Sequence, residues 1–169
     1  MAPITRKVTV STPIACPADT IFQLIIDLPG YNSWLPQSPA FKGTTEVSDT
    51  PIKVGSTYVE RSPSGTRYGE VVLLDERERH VLFHQPMRLA LGLQFDVQVD
   101  MKVEDRDESN GSEPARLKSS IVNREVTLRF PVYMYPVVGY IYKNFETEIL
   151  RTMKEMKKHL ERKPDQVTD

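Results

Sequence analysis

The sequence predicts an α+β chain: a curved antiparallel sheet of about seven strands around one long C-terminal helix, with two short helices after the first strand. Three observations carry that expectation. In residues 91–104, Leu91, Leu93, Phe95, Val97, Val99, Met101 and Val103 alternate with Gly92, Gln94, Asp96, Gln98, Asp100 and Lys102. Period two over such a length is a strand with one wet and one dry face. From Pro131 onward the period changes, and Met134, Val138, Ile141, Tyr142, Phe145, Ile149, Met153, Met156 and Leu160 recur every three or four residues. That is the stripe of an amphipathic helix. The 13 prolines punctuate the chain at the ends of these elements.

Taken in order, residues 4–14 place Val8, Val10 and Thr12 on one face and read as a half-buried strand. Pro17-Ala18-Asp19-Thr20 opens a helix: proline suits the first turn, and Asp19 complements the helix dipole there. Ile21, Leu24, Ile25 and Leu28 form its apolar face, and Pro29-Gly30 ends it. Tyr31 to Pro36 reads as a second short helix or tight turn. Strands are expected at 41–48, 55–62, 67–75, 80–86, 91–104 and 115–128, separated by Pro63-Ser64-Gly65, by Asp75–Arg79 and by a polar, mobile hairpin loop at 105–114. The long helix frays at Pro164. The expected organisation is one domain over residues 1–163, with a disordered tail at 164–169.

Composition narrows the function classes. With 22 Lys and Arg against 23 Asp and Glu, the formal charge is −1, which lacks the basic excess that a nucleic acid partner requires. No apolar run approaches the roughly 20 residues of an integral membrane segment. No apolar stretch follows the charged start Met1–Lys7, so no secretory signal is read. The single cysteine, Cys16, excludes an internal disulfide and a cysteine-cluster metal site. The expectation is a cytoplasmic protein, monomer or homodimer, with no cofactor.

The long helix needs a partner for its stripe, and a single curved sheet is the one available. A strongly bent sheet cannot fill its own concavity, which leaves an apolar cavity suited to a small ligand. At this level the sequence resembles the START-like helix-grip superfamily, the SRPBCC group that includes polyketide cyclase/dehydrase and coenzyme-Q-binding START-type families. The likeness rests on the run Val8 to Pro36, with Pro17-Ala18-Asp19 before Ile21-Phe22, Asp27 ending the helix, and Tyr31 with Trp34 in the next turn. Gly55, Gly69-Glu70-Val71, Asp75 before Val81-Leu82-Phe83, and the C-terminal helix extend it along nearly the whole chain. These are packing and turn signatures. What the resemblance implies is the helix-grip fold and a hydrophobic or aromatic small molecule held between sheet and helix.

A pocket enzyme acting on a poly-keto or aromatic substrate needs a proton acceptor and a donor aimed at the developing enolate oxygen. Tyr58, Tyr68, His84 and Arg67 are the candidates for that chemistry, with Tyr142 beside them. Trp34, Phe83, Gln85, Phe95, Val97, Asn123, Met134, Val138 and Tyr142 are the candidates for lining the ligand site.

His84 depends on register. If Leu82 faces inward, so does His84; if Val81 and Phe83 do, His84 faces water and Gln85 lines the cavity, as the resemblance favours. Of the other histidines in the set of three, His80 reads as a solvated strand start and His159 as a favourable charge at the helix C-terminus. His80 and His84 stand about 13 Å apart on a strand, so no metal is expected.

Glu60, Glu70 and Glu125 are possible bases if buried, or cross-strand partners of Arg61, Arg67 or Arg129. Trp34 either caps the cavity mouth or packs beneath the second helix. Cys16 precedes a helix, where a thiolate is stabilised, but has no evident base.

Two functions fit. One is an enzyme that cyclises, dehydrates or rearranges a polyketide-like biosynthetic intermediate; the other is a non-catalytic carrier of a lipid, quinone or similar apolar ligand. A protein-interaction module using the outer sheet face is a weaker third. An enzyme calls for at least two convergent polar groups inside the cavity, a carrier for an almost wholly apolar lining.

Overall fold

In the computed structural model, which describes residues 2–89, 92–106 and 119–162, the alternating N-terminal segment is strand β1 (Ile4–Ile14), with Val8 and Ile14 buried. Pro17 caps helix α1 (Ala18–Ile26), its carbonyl accepting the Ile21 N–H at 3.2 Å. Ala18, Ile21, Phe22 and Ile25 form the buried face, so Phe22 takes the place expected for Leu24. At the end of α1 the Asp27 carboxylate accepts the Gly30 N–H at 3.2 Å. Helix α2 (Tyr31–Trp34) follows and is tied to the sheet by Asn32, whose side chain donates to the Thr44 carbonyl and accepts the Thr44 N–H, at 2.9 and 2.8 Å.

The remaining strands are β2 (Thr44–Thr45), β3 (Thr57–Ser62), β4 (Gly65–Asp75), β5 (His80–His84), β6 (Met87–Arg88), β7 (Gln94–Asp105) and β8 (Ser120–Phe130). They form an antiparallel sheet in the order β1-β8-β7-β5-β4-β3-β2, with β6 continuing beyond β5 between β4 and β7. The sheet has 8 strands where about seven were expected. The added one is β6: Pro86 has no N–H to give the ladder, so the lane breaks after His84 and pairing resumes at Met87. The expected strand 41–48 shrinks to the two residues of β2. Leu91, the start of the 115–128 strand, most of the polar hairpin and the 164–169 tail lie outside the described residues.

A 3₁₀ turn (Val132–Met134) leads into helix α3 (Tyr135–Leu160), with Pro136 in its first turn and Lys157, Lys158 and His159 in its last. Both placements suit the helix ends: proline gives up no needed donor, and the basic groups face the negative end of the dipole. Glu161 accepts the Ala15 N–H at 2.9 Å and Lys157 donates to the Pro13 carbonyl at 2.8 Å, fastening the end of α3 to the end of β1. The inner face of β7 is buried at every second residue from Phe95 to Val103, as its alternation requires. Phe95 stacks on Phe130 with ring centroids 4.8 Å apart and meets the edge of Phe145 at 5.7 Å. Val97, Met134 and Val138 are buried in the same core. Among the described residues no helix is long and apolar enough to cross a membrane.

Candidate functional site

The space left between sheet and helix lies under the second half of α3. It is a cavity of about 60 Å³. Its floor comes from inward-facing sheet residues: Tyr58 and Glu60 of β3, Arg67 of β4, Phe83 of β5 with Gln85 just beyond it, Val99 and Met101 of β7, and Arg124 of β8. Glu148, Ile149, Thr152 and Met156 of α3 form the roof, and Leu28, Tyr31, Leu35 and Phe41 close the side. A water molecule needs about 10–15 Å³ of such space, so the cavity holds a few waters or one small chemical group.

Tyr58 is 2% exposed and lies directly across from Gly69 in the β3–β4 register. Its hydroxyl accepts a hydrogen bond from Gln85 Nε2. Among the described residues nothing accepts the Tyr58 proton, which is therefore free to point into the cavity. Burial pushes the Tyr58 phenol well above its ordinary value, and the Glu60 charge adds to that shift, against the opposing bond from Gln85. Tyr31 differs, because it donates to the Ile25 carbonyl at 2.9 Å and its proton is committed. Its pKa is also raised by burial, with Arg124 pulling the other way.

Glu60 and Arg67 are cross-strand partners whose side chains meet at 3.0 Å, both nearly buried. Glu60 also accepts from Thr44 Oγ1 at 3.2 Å, and Arg67 donates to the Ala40 carbonyl at 2.8 Å. This is the cross-strand pairing weighed for Glu60, placed inside the cavity. Glu148 is held by Arg151 and by Ser38, the latter at 2.8 Å. Burial raises its pKa, but the bonds from Arg151 and Ser38 outweigh it, and the net direction is down. Arg124 also faces the cavity, between Val10 and Met101 in the register. Burial lowers its pKa.

Four of the expected site residues thus meet at the cavity: Tyr58, Arg67, Phe83 and Gln85. The others do not. Tyr68 is 41% exposed, on the outer face beneath the Arg88 guanidinium, because it neighbours the inward Arg67 on one strand. His84 also faces outward, bonded to Asp96 at 2.9 Å, since Val81, Phe83 and Gln85 take the inner positions. His80 makes the same contact with Asp100 at 2.9 Å. Asn123 is on the outer face, accepting from Ser11 at 2.6 Å and donating to Glu104 at 3.0 Å.

Phe95, Val97, Met134 and Val138 are enclosed in packed core and do not line the cavity. Tyr142 reaches the Lys7 carbonyl at 3.5 Å, the outer limit of a hydrogen bond. Trp34 lies behind Tyr31 (5.0 Å) and against His159 (6.0 Å), beside a polar surface cleft of about 320 Å³. Cys16 is buried, and that burial raises its thiol pKa despite its place before α1. Glu125 pairs with Lys7 at 2.6 Å instead of Arg129. Among the described residues no His, Cys, Asp and Glu side chains group as a metal site.

Glu60 was weighed from the sequence as a base or a cross-strand partner, whereas Arg124, Tyr31, Glu148 and Thr152 were not named there as site residues. For Arg124 a signal was present: Val122, Val126, Leu128 and Phe130 share its parity and mark it as inward.

No protein-family model matches the chain, and no curated protein matches it in sequence. Solved structures do match in shape. Norcoclaurine synthase from Thalictrum flavum, in complex with dopamine and hydroxybenzaldehyde, superposes with a TM-score of 0.69 at 15% identity, covering 97% of this chain and 91% of that one. Ara h 8.0201 gives 0.66 at 12% identity over 93% and 98% of the respective chains. A START superfamily protein from Mycobacterium smegmatis gives 0.63 at 16% identity over 92% and 97%. At such identities the likeness establishes the fold, a START-like helix grip.

Proposed function

We propose that this START-like helix-grip chain binds a small, partly apolar molecule between its sheet and α3 and turns it over by proton transfer. The reaction class is cyclisation, dehydration or rearrangement of a polyketide-like biosynthetic intermediate that can form an enolate. The observation that carries the proposal is the Tyr58 phenol. Gln85 fixes its oxygen while its proton remains unclaimed, in the same cavity as the Glu60 carboxylate.

For a β-hydroxy ketone the steps balance without a cofactor. The Glu60 carboxylate takes the proton from the carbon next to the carbonyl. Tyr58, kept protonated by burial, donates a hydrogen bond to the enolate oxygen as negative charge develops there. The enolate then expels the β-hydroxyl, which takes the proton back from Glu60 and leaves as water. Arg67 is a positioning residue that holds Glu60. That the fold accommodates dopamine and hydroxybenzaldehyde in norcoclaurine synthase supports a small aromatic guest here. A carrier of apolar ligands needs an apolar lining, whereas Tyr58, Glu60, Arg67 and Gln85 converge on this one.

The test is to identify the copurifying molecule by native mass spectrometry and then assay purified protein on it and on β-hydroxy and poly-keto compounds. Tyr58→Phe and Glu60→Gln are expected to lose about 10²- to 10⁴-fold in turnover with binding retained, while Tyr68→Phe and His84→Ala leave turnover unchanged. Unchanged substrate across the panel returns the protein to the carrier class. Full turnover in both Tyr58→Phe and Glu60→Gln removes the assignment of these residues.

A further inference from the structure

The charged groups around the cavity do not balance. Arg67 is matched by Glu60 at 3.0 Å, and Arg151 by Glu148 at 3.0 Å. Arg124 has no such partner among the described residues, and its Nε is shut off from solvent with no acceptor. Its cross-strand neighbours are Val10 and Met101, and along its own strand the same face carries Val122 and Val126, none of which offers a side-chain acceptor. Glu60 lines the same cavity, but its ion pair is with Arg67. Arg124 as a residue is half-buried, and its buried, unpartnered Nε costs stability unless an acceptor reaches the guanidinium.

We infer that Arg124 is the anchor for a carboxylate on the bound molecule, so that the ligand is an organic acid and its carboxylate occupies the cavity of about 60 Å³. This rests on the reading of the cavity as a ligand site and narrows it. A guanidinium presents paired N–H groups that match a carboxylate's two oxygens. The volume suits a carboxylate with little attached, and the remainder of the ligand extends past α2 and α3. The acid has two sources, an aromatic acid or a fatty acid, and they share this head group.

The full-length protein should be titrated by calorimetry with benzoate, benzamide, octanoate and octanamide. In the native protein at least one acid is expected to bind about 10- to 100-fold more tightly than its amide. The acid with the larger preference identifies the source. Arg124→Met should erase that preference while leaving the amides bound as before. It should also raise the thermal midpoint of the unliganded protein by a few degrees, since a buried, unpartnered donor is removed. Arg124→Lys, which keeps the charge and loses the paired geometry, should retain a reduced preference; it also decides the matter if Arg124→Met fails to fold. Equal binding of acid and amide by the native protein, or a preference that survives in Arg124→Met, overturns the inference and leaves the cavity a site for neutral ligands. Failure of all four compounds to bind overturns the ligand-site reading with it.

Discussion

Gly69 lies directly opposite Tyr58, and a side chain there would meet the phenol ring: a Cβ would stand 2.1 Å from Tyr58 Cζ. The ring therefore lies across the strand at a place only hydrogen can share. Gly69→Ala must push the ring away and with it the hydroxyl that Gln85 holds. Overpacking of this kind costs about 1–3 kcal/mol, and denaturant unfolding of the variant should show that loss. Tyr58→Phe acts through a different cause. It leaves the Gln85 amide without its buried acceptor, also at about 1–3 kcal/mol. The double variant Gly69→Ala with Tyr58→Leu separates the two, because the alanine should cost much less once the ring is gone. Additive losses in that pair would sink the steric account.

The second half of α3 is held to the segment after α2 by a polar clamp. Arg151 donates to the Pro36 carbonyl at 2.9 Å, and Glu148 accepts from Ser38 at 2.8 Å. The Glu148 pKa is lowered in the folded protein, so its contribution is fully present above the ordinary carboxylate range and is lost as pH falls through its folded value. Asp49, lowered to about 2 by hydrogen bonds from Lys53, Ser48 and Ser56, has the same sign and loses its contribution at still lower pH. Thermal midpoints recorded from about pH 6 down to about pH 2 should therefore fall progressively. Glu148→Gln should start lower and fall less steeply near pH 4. A slope identical to the native one would show that the clamp does not titrate.

Elements differed in how plainly the sequence declared them. In β7 the alternation is uninterrupted and each inward residue is apolar, so the sheet's concave face was legible there. The stripe of α3 was equally plain, and so was the helix that Pro17 opens. In β8 the inward row contains Arg124, a charge among apolar residues that blurs the period, and Asn123, expected at the ligand site, lies on the outer face. Adjacent residues of one strand point to opposite sides, so Arg67 and Tyr68 were never both available to one cavity. The position of the cavity along α3 was not legible, because it depends on how three phenylalanines distant in sequence fill the other end. Period alone carries no information about that filling.

At the scale of the whole molecule, the interior divides into a filled part and a hollow part. Pockets for drug-sized ligands measure about 300–1,000 Å³, so a guest larger than the cavity of about 60 Å³ needs further space, which α2 and the 36–41 segment give by moving from α3. The contacts there include polar bonds at the surface, which open more readily than packed core. Hydrogen exchange followed by mass spectrometry should show slow exchange in β7 and β8 with or without a bound acid. Binding should slow exchange in 31–41 and in 148–156. Uniform change across the chain, or none in those two segments, would count against opening at this place.

The stacked rings of Phe95, Phe130 and Phe145 also bear on what can be inherited or engineered. They lie apart from the residues that bound the cavity, so substitutions at Leu35, Phe41 or Met156 alter the lining without touching the rings. The lining of the cavity can thus change through a few side chains while the backbone stays recognisable. That separation gives a physical reason why the fold is kept at 15% identity.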